Sequence, residues 1–537
     1  MHLDLEQPSV AAEHHATVCI VGGGIAGLTL ATRLARQGID VLLLEAGGLE
    51  PEPRSQSLYR AHMAPNAEEH LGVNEGRFRT FGGSSTQWGG QILPFTPDVF
   101  SPSPNLKNLA WPIAEEELTP YYDDIHSILG VDKLPFTSDL LPALGHAPLP
   151  SSPDVRVRFS KWTPFQRRNL AGTVGAEALA NPKITVVTHA NTASLEADPS
   201  RIVSARVLNY SGREFTFTAD RFIVAAGTIE SCRLLLCSPS VPNPHDLIGR
   251  YFHDHVSCHV ARFHSPVREK ITGYTGPFYI DGTMHSCKFE ASDELREREG
   301  LLSVMAHVVV IEPEDSGTAA IRNLMRSLQQ GRLKQALTEN LAPMLRGLGD
   351  VVRLAYSLRF KKRRAISKRA TLYLNIDVEQ QPDANNRITL HPTDKDALGL
   401  PVTVVDWRIG EVEKHTALRY VEAIRHYLAA NGFDPGEWDP GLATGTLPRM
   451  VDTTHAMGGL RMGDDPTASV VDRNLRIHQL QNLYVASCAV FPAGSSSNPT
   501  FTMMALSMRL ADQLAEELSA KQQDPASQPA TSPTPQA

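Results

Sequence analysis

Apolar positions crowd into two short runs near the start of the chain, around Val18–Val21 and Ile39–Leu44. Between them lie a glycine cluster and a stretch of helical length, so Ala16–Gly48 reads as strand, glycine turn, helix and strand. The stretch Arg221–Leu236 repeats the theme: a buried strand, a turn of small residues, then a helix. "ATLYLNIDVEQ", Ala370–Gln380, reads as a strand of an antiparallel sheet. Gly317–Leu358 reads as two amphipathic helices. Near the end, Phe501, Met504, Ala505, Met508 and Ala511 are spaced for one face of a buried helix. Asn498 and Pro499 stand where its N-cap and first residue belong.

No apolar run approaches the roughly 20 residues needed to span a bilayer. At 537 residues, with 42% apolar and 20% charged positions, the chain has the composition of two folded domains or one large one. A net charge of −8 argues against nucleic acid as the main partner. The six cysteines form no C-x-x-C pair, which excludes the usual zinc and haem-attachment patterns and suits a reducing compartment. Residues 1–15 read as a flexible N-terminus without an export signal, so a cytoplasmic location is expected. The segment 521–537, rich in Pro, Ser, Gln and Thr, reads as a disordered tail. The basic run Arg359–Arg369 reads as a solvated face or an inter-subunit contact. Docking to anionic lipid or to an electron acceptor is the less favoured reading, because no hydrophobic anchor is evident.

Gly22, Gly24 and Gly27 occupy the three positions of G-x-G-x-x-G, directly after a strand and opening a helix. The first permits a tight turn, the second lets backbone approach a pyrophosphate, and the third lets helix and strand pack closely. The helix N-terminus then offers free N–H groups and a positive dipole end to the phosphates. Glu45 closes the second strand, where a carboxylate can accept from a ribose diol. These features specify a dinucleotide without separating NAD from FAD.

Further segments resolve that ambiguity. They are "FRTFGGSSTQWGG" (Phe78–Gly90), "RFIVAAGTIESCRLLL" (Arg221–Leu236), "THAMGGLRMG" (Thr454–Gly463) and "NLYVASCAVFPAGSSSNPTFT" (Asn482–Thr502). In this order and spacing the chain resembles the glucose–methanol–choline (GMC) family of FAD-dependent oxidoreductases, from about Thr17 to about Leu518. Its general look is closest to the pyranose-oxidase-like and bacterial sugar or polyol dehydrogenase branch. "STQW" (Ser85–Trp88), "EQQPDANNRITL" (Glu379–Leu390) and an Asn in the last loop carry that impression. Gln87 stands where members with covalently attached FAD carry a His, Cys232 where Pro or Ser is usual, and Ser487 where many members place an Asp. Pro239 interrupts the usual Ser-Gly ending of the middle motif.

The resemblance implies an α/β fold, a Rossmann-like FAD domain interleaved with an α+β substrate domain containing an antiparallel sheet. The expected division gives 16–100, 184–263 and 447–518 to the FAD domain and 101–183 to a connecting and lid region. The substrate domain takes 264–446, with a helical insertion over 317–369. FAD, non-covalent because Gln87 is an amide, would be held by Gly22, Gly24, Gly27 and Glu45. Gly82, Gly83, Ser84, Trp88, Ala226, Gly227 and Pro499 would complete its site. His455 and Asn498 match the family's catalytic pair. A neutral histidine can take the hydroxyl proton of an alcohol while the flavin accepts hydride, and the amide can donate to the developing alkoxide. The positive end of the helix after Asn498 would stabilise negative charge on reduced flavin. Gln380 is a candidate substrate contact or a structural strand residue. His253 and His255 lack an obvious third ligand and read as structural, so no metal is expected. The reaction implied is oxidation of a sugar, glycoside or polyol hydroxyl, with oxygen, a quinone or a redox protein as electron acceptor. A homo-oligomer is compatible. A lyase on the same scaffold, an NADPH-dependent monooxygenase and a non-catalytic flavoprotein are the rival readings.

Overall fold

The computed structural model describes residues 1–101, 110–145, 149–150, 152–329 and 333–523. The strand Glu13–Val21 ends in four buried residues and lies in the middle of an eight-stranded sheet. Parallel to it on one side run Val41–Leu44, then Ile184–Thr188, then His2–Asp4. On the other side runs Glu214–Val224, whose C-terminal half pairs in parallel with Leu483–Val485. Its N-terminal half continues antiparallel into Arg201–Leu208 and Asn191–Asp198. The near-continuous Val/Ile/Leu runs of the parallel strands fit a sheet covered on both faces. The helix Ile25–Arg36 covers the sheet and packs on the long terminal helix Thr500–Gln523, where Arg33 forks onto both oxygens of Asp512.

A second, nine-stranded sheet is antiparallel, in the order 436–438, 255–263, 371–379, 304–311, 283–291, 155–162, 91–92. Its register sorts the two faces cleanly. Val256, Val378 and Val304 form one cross-strand row and Cys258, Ile376 and Ala306 another, all on the face backed by the helix Glu411–Ala430. The intervening rows are Ser257–Asp377–Met305 and His259–Asn375–His307, on the opposite face. This is the period-two alternation of a strand, with the polar side turned toward the dinucleotide half.

Four expectations are corrected. Residues 1–15 are not a flexible N-terminus. His2–Asp4 pair with Ile184–Thr188, the terminal ammonium donates to the Ile184 carbonyl at 2.7 Å, and Leu5 is fully buried. The substrate sheet begins before residue 264, because His255–Phe263 crosses into it, and Val155–Trp162 from the expected connecting region is one of its inner strands. Among the described residues the insertion has three helices, Gly317–Gln329, Leu333–Arg346 and Leu348–Phe360, since Gly347 separates the last two. The terminal helix runs to Gln523, past the expected tail boundary; the rest of that tail, 524–537, lies outside the described residues.

Candidate functional site

A cavity of about 640 Å³ opens at the carboxyl ends of the parallel strands, bounded there by Val21, Leu44, Ala225 and Ala486. That crevice is where doubly wound sheets bind ligands, and the volume lies within the roughly 300–1,000 Å³ of small-molecule and cofactor sites. Gly22 turns with φ of +112°, and a β-carbon there would stand 2.5 Å from the Ala225 carbonyl oxygen. Gly24 caps the helix Ile25–Arg36 without a side-chain bond, so the first-turn N–H groups face the cavity. Glu45 is buried at its rim and accepts from the Gly23 and Gly47 N–H groups at 2.9 and 2.8 Å. These donors, with a carboxylate whose further lone pairs can receive hydroxyls, fit the pyrophosphate and ribose of FAD.

Gly22, Gly24, Glu45, Gly83, Ser84, Trp88, Ala226, Gly227 and Pro499 all line this cavity. Gly27 and Gly82 do not. Gly27 packs against the Gly22 carbonyl, the close helix–strand approach the motif requires, and Gly82 packs against the Ala171 side chain. Gln87 and Ser487, two of the four departures from the family pattern, line the cavity as well.

A second cavity of about 350 Å³ meets the first and shares Gln91, His455 and Asn498 with it. His455 and Asn498, the pair expected to be catalytic, therefore sit where the two spaces join. The Asn498 amide nitrogen donates to His455 Nε2 at 3.1 Å. Asn498 is not the helix cap expected from the sequence. The terminal helix starts at Thr500 and its first-turn bond runs from Met503 N–H to the Pro499 carbonyl, which places the cap one residue later. Freed of capping, the Asn498 side chain turns to the histidine, and its Oδ1 has no hydrogen-bond partner among the described residues.

The protonation pattern of His455 follows from its neighbours. The Thr453 hydroxyl donates its single proton to Asp254 Oδ1 at 3.0 Å, so toward His455 Nδ1, 2.8 Å away, it can only accept. Nδ1 then carries the proton and Nε2 presents a lone pair to the cavity junction. His255 Nδ1 lies 3.1 Å from the same His455 nitrogen and stands as a second acceptor for its proton. Asp254 Oδ1 also receives the backbone N–H of His255 and of His455 at 2.7 and 3.0 Å, fixing both segments around one carboxylate. Burial would raise the Asp254 carboxyl, but His70, His455 and His255 outweigh it and hold it at about 2. Burial pushes His455 below its usual 6.5 although Asp254, Asp377 and Asp452 oppose the shift, so its base form persists into mildly acid solution. His70 lies 3.3 Å from Asp254 and 3.5 Å from Asp452. The three are close enough to bracket a cation, yet each imidazole nitrogen already faces its own carboxylate.

Gln380 lines neither cavity. Its Oε1 accepts from Asp254 N–H and Trp407 Nε1–H and its amide donates to the Arg408 carbonyl, so its role is structural. The adjacent Glu379 accepts from the N–H groups of Gly494, Ser495 and Ser303, pinning the loop that delivers Asn498. His255, expected to be merely structural, touches His455.

The second cavity is floored by the polar face of the antiparallel sheet: Ser257, His259, Asn375, Asp377, His307 and Lys288. Asp377 accepts from Asn375 at 2.8 Å and lies 3.2 Å from His307 Nδ1. Burial holds His255 and His307 neutral, both at about 4. Lys288 is only 4% exposed, and no described residue hydrogen-bonds or ion-pairs its ammonium. Burial lowers its pKa against the pull of Asp377. The sequence signal for this floor was the alternation of Asn375, Asp377 and Glu379 in "NIDVEQ", which continues for only half a strand and so left Gln380 as the apparent candidate.

Residues 382–507 match the family model "GMC oxidoreductase", and residues 17–73 match "FAD dependent oxidoreductase". The fructose dehydrogenase large subunit of Gluconobacter japonicus is 24% identical over 93% of this chain and 97% of its own length. Paromamine 6'-oxidase of Streptomyces fradiae is 25% identical over 92% of this chain and 90% of its own. Among solved structures, pyridoxine 4-oxidase from Mesorbium loti superposes with a TM-score of 0.56 at 17% identity, covering 93% of this chain and 99% of that one.

Proposed function

We propose that this chain, which belongs to the GMC oxidoreductases, oxidises an uncharged polyhydroxylated alcohol with His455 as base and Asn498 as its hydrogen-bonding partner. The reaction class is FAD-dependent oxidation of a CH–OH group. Bound FAD supplies the acceptor for the hydride that leaves the carbinol carbon. The single observation that carries the residue assignment is the unprotonated His455 Nε2 at the junction of the two cavities, accepting from the Asn498 amide 3.1 Å away. Nε2 takes the hydroxyl proton, and the Asn498 N–H group then faces the oxygen as negative charge develops there. The terminal helix points its positive end at the same place, which favours that charge further. Anaerobic mixing with candidate alcohols, read as bleaching of the yellow flavin band, tests the assignment. Loss of colour with an alcohol and without NADPH supports it. A chain that bleaches only with NADPH would instead be a monooxygenase.

The charge of the second cavity supports the substrate class. Lys288 and Asp377 offset each other and two neighbouring histidines are neutral, so a neutral polyol suits the pocket. An ammonium-bearing aminosugar would bring a second cation beside the unpaired Lys288. Lys288→Met is expected to raise KM for hexoses and hexitols about tenfold, equivalent to ~1.4 kcal/mol, with little change for a simple short alcohol. Lys288→Glu should move preference toward 2-amino-2-deoxy sugars. Equal losses on long and short alcohols would remove Lys288 from substrate recognition.

FAD is held without a covalent link in this reading, because the Gln87 amide is too poor a nucleophile to form a bond to the flavin. Acid precipitation is expected to leave the yellow colour in the supernatant. Colour retained in the washed pellet would show attachment at another residue. Fructose dehydrogenase is represented among the relatives by a large subunit, which supports a redox partner subunit as the electron acceptor here.

A further inference from the structure

Exposed large apolar side chains are concentrated on one element of this protein. Seven of the twelve among the described residues fall within 341–360, in the last two helices of the insertion. On Leu348–Phe360, the residues Leu348, Val352, Tyr356 and Phe360 recur every fourth position and are between 54% and 67% exposed. At 100° per residue they cover an arc of about 120°, while Leu354 and Ser357 face the rest of the protein. Leu341 and Leu345 of the preceding helix are exposed in the same way. This is the reverse of an ordinary surface helix, whose apolar stripe turns inward. A contiguous outward apolar face of this kind marks an interaction surface.

The flanking charge identifies the partner. Between residues 346 and 369 stand nine basic residues and one acid, in a chain whose net charge is −8. Arg353, Arg359, Lys361, Lys362 and Lys368 are exposed beside the apolar stripe. A second copy meeting this face symmetrically would bring two basic patches together, which opposes an isologous dimer. No helix is long and apolar enough to cross a membrane among the described residues. Apolar side chains flanked by cations, on a helix too short to span, match the physical requirements for lying in the interface of a bilayer.

We propose that the face formed by Leu341–Phe360 and the basic segment after it docks on a lipid surface carrying anionic headgroups. The insertion that carries this face also reaches the cofactor half of the protein. The first insertion helix, Gly317–Gln329, ends with Gln329 donating to the carbonyls of Ser85 and Trp88, in the loop that lines the large cavity. The basic run was expected to be a solvated face or an inter-subunit contact for want of a hydrophobic anchor, and the exposed apolar side chains of the helix before it supply one.

The test is flotation of the purified holoenzyme with phosphatidylcholine vesicles and with vesicles that also contain phosphatidylglycerol. The bound fraction is expected to be at least tenfold higher on the anionic vesicles and to fall as salt is raised. The double variant Val352→Glu, Tyr356→Glu should lose at least nine-tenths of that binding while flavin content and oxidation of a soluble alcohol stay unchanged. Lys361→Ala with Lys362→Ala should weaken binding and reduce its salt dependence. Absence of binding to anionic vesicles at low salt would overturn the proposal, as would binding that neither pair of substitutions affects. Light scattering that shows a dimer dissolved by Val352→Glu, Tyr356→Glu would also overturn it, assigning the face to a second copy of the chain.

Discussion

His455→Ala is expected to slow anaerobic reduction of the flavin by its alcohol substrate by ~10²–10⁴-fold, the usual worth of a positioned general base. The variant should keep its fold and its FAD. His455 contacts Thr453, His255 and Asn498 through its ring, but the loop around it is fixed by backbone bonds to Asp254 that alanine retains. The loss should therefore appear in the rate of bleaching with little change in melting temperature. Unaltered bleaching would remove the histidine from the chemistry, whatever the geometry around it.

Asn498→Asp should cost ~10²–10³-fold in the same step, the magnitude found when one donor to a developing oxyanion is removed. The substitution exchanges an N–H donor for a carboxylate 3 Å from His455 Nε2 and leaves side-chain size unchanged. Two effects act together: the new negative charge opposes the alkoxide, and it favours the protonated imidazole. Because the helix cap falls on Pro499 rather than Asn498, no change in helix stability is expected in either direction. Full activity at every pH would mean that the amide does not face the reacting oxygen.

The dinucleotide half was readable in the sequence because its information is local. Gly22, Gly24 and Glu45 lie within one strand–helix–strand unit, and their spacing specifies the turn, the helix end and the acid that meet in space. His455 and Asn498 were readable through a family motif. What fixes the chemistry of His455 was not readable, since Asp254 and His255 are about two hundred residues away in sequence and reach it only when strand His255–Phe263 joins the second sheet. Gln380 was selected and Asp377 missed for a related reason: a strand's two faces are distinguishable only once the register of its neighbours is known. At Asn498 a good N-cap residue preceded a proline, and local propensity gave a cap one residue early because tertiary contact with His455 claimed the side chain.

The central claim is that His455, neutral at Nε2 and held so through Thr453 and Asp254, takes the substrate proton. The most direct measurement is the pH dependence of anaerobic flavin bleaching in the wild type and in Asn498→Asp. A base must be unprotonated to act, and burial lowers the His455 pKa from 6.5, so the wild-type rate should stay level through neutrality and fall only below 6.5. In Asn498→Asp the adjacent carboxylate stabilises the imidazolium, so the acid limb should move to higher pH. A wild-type limb above 6.5, or a limb that does not move in Asn498→Asp, would contradict the account.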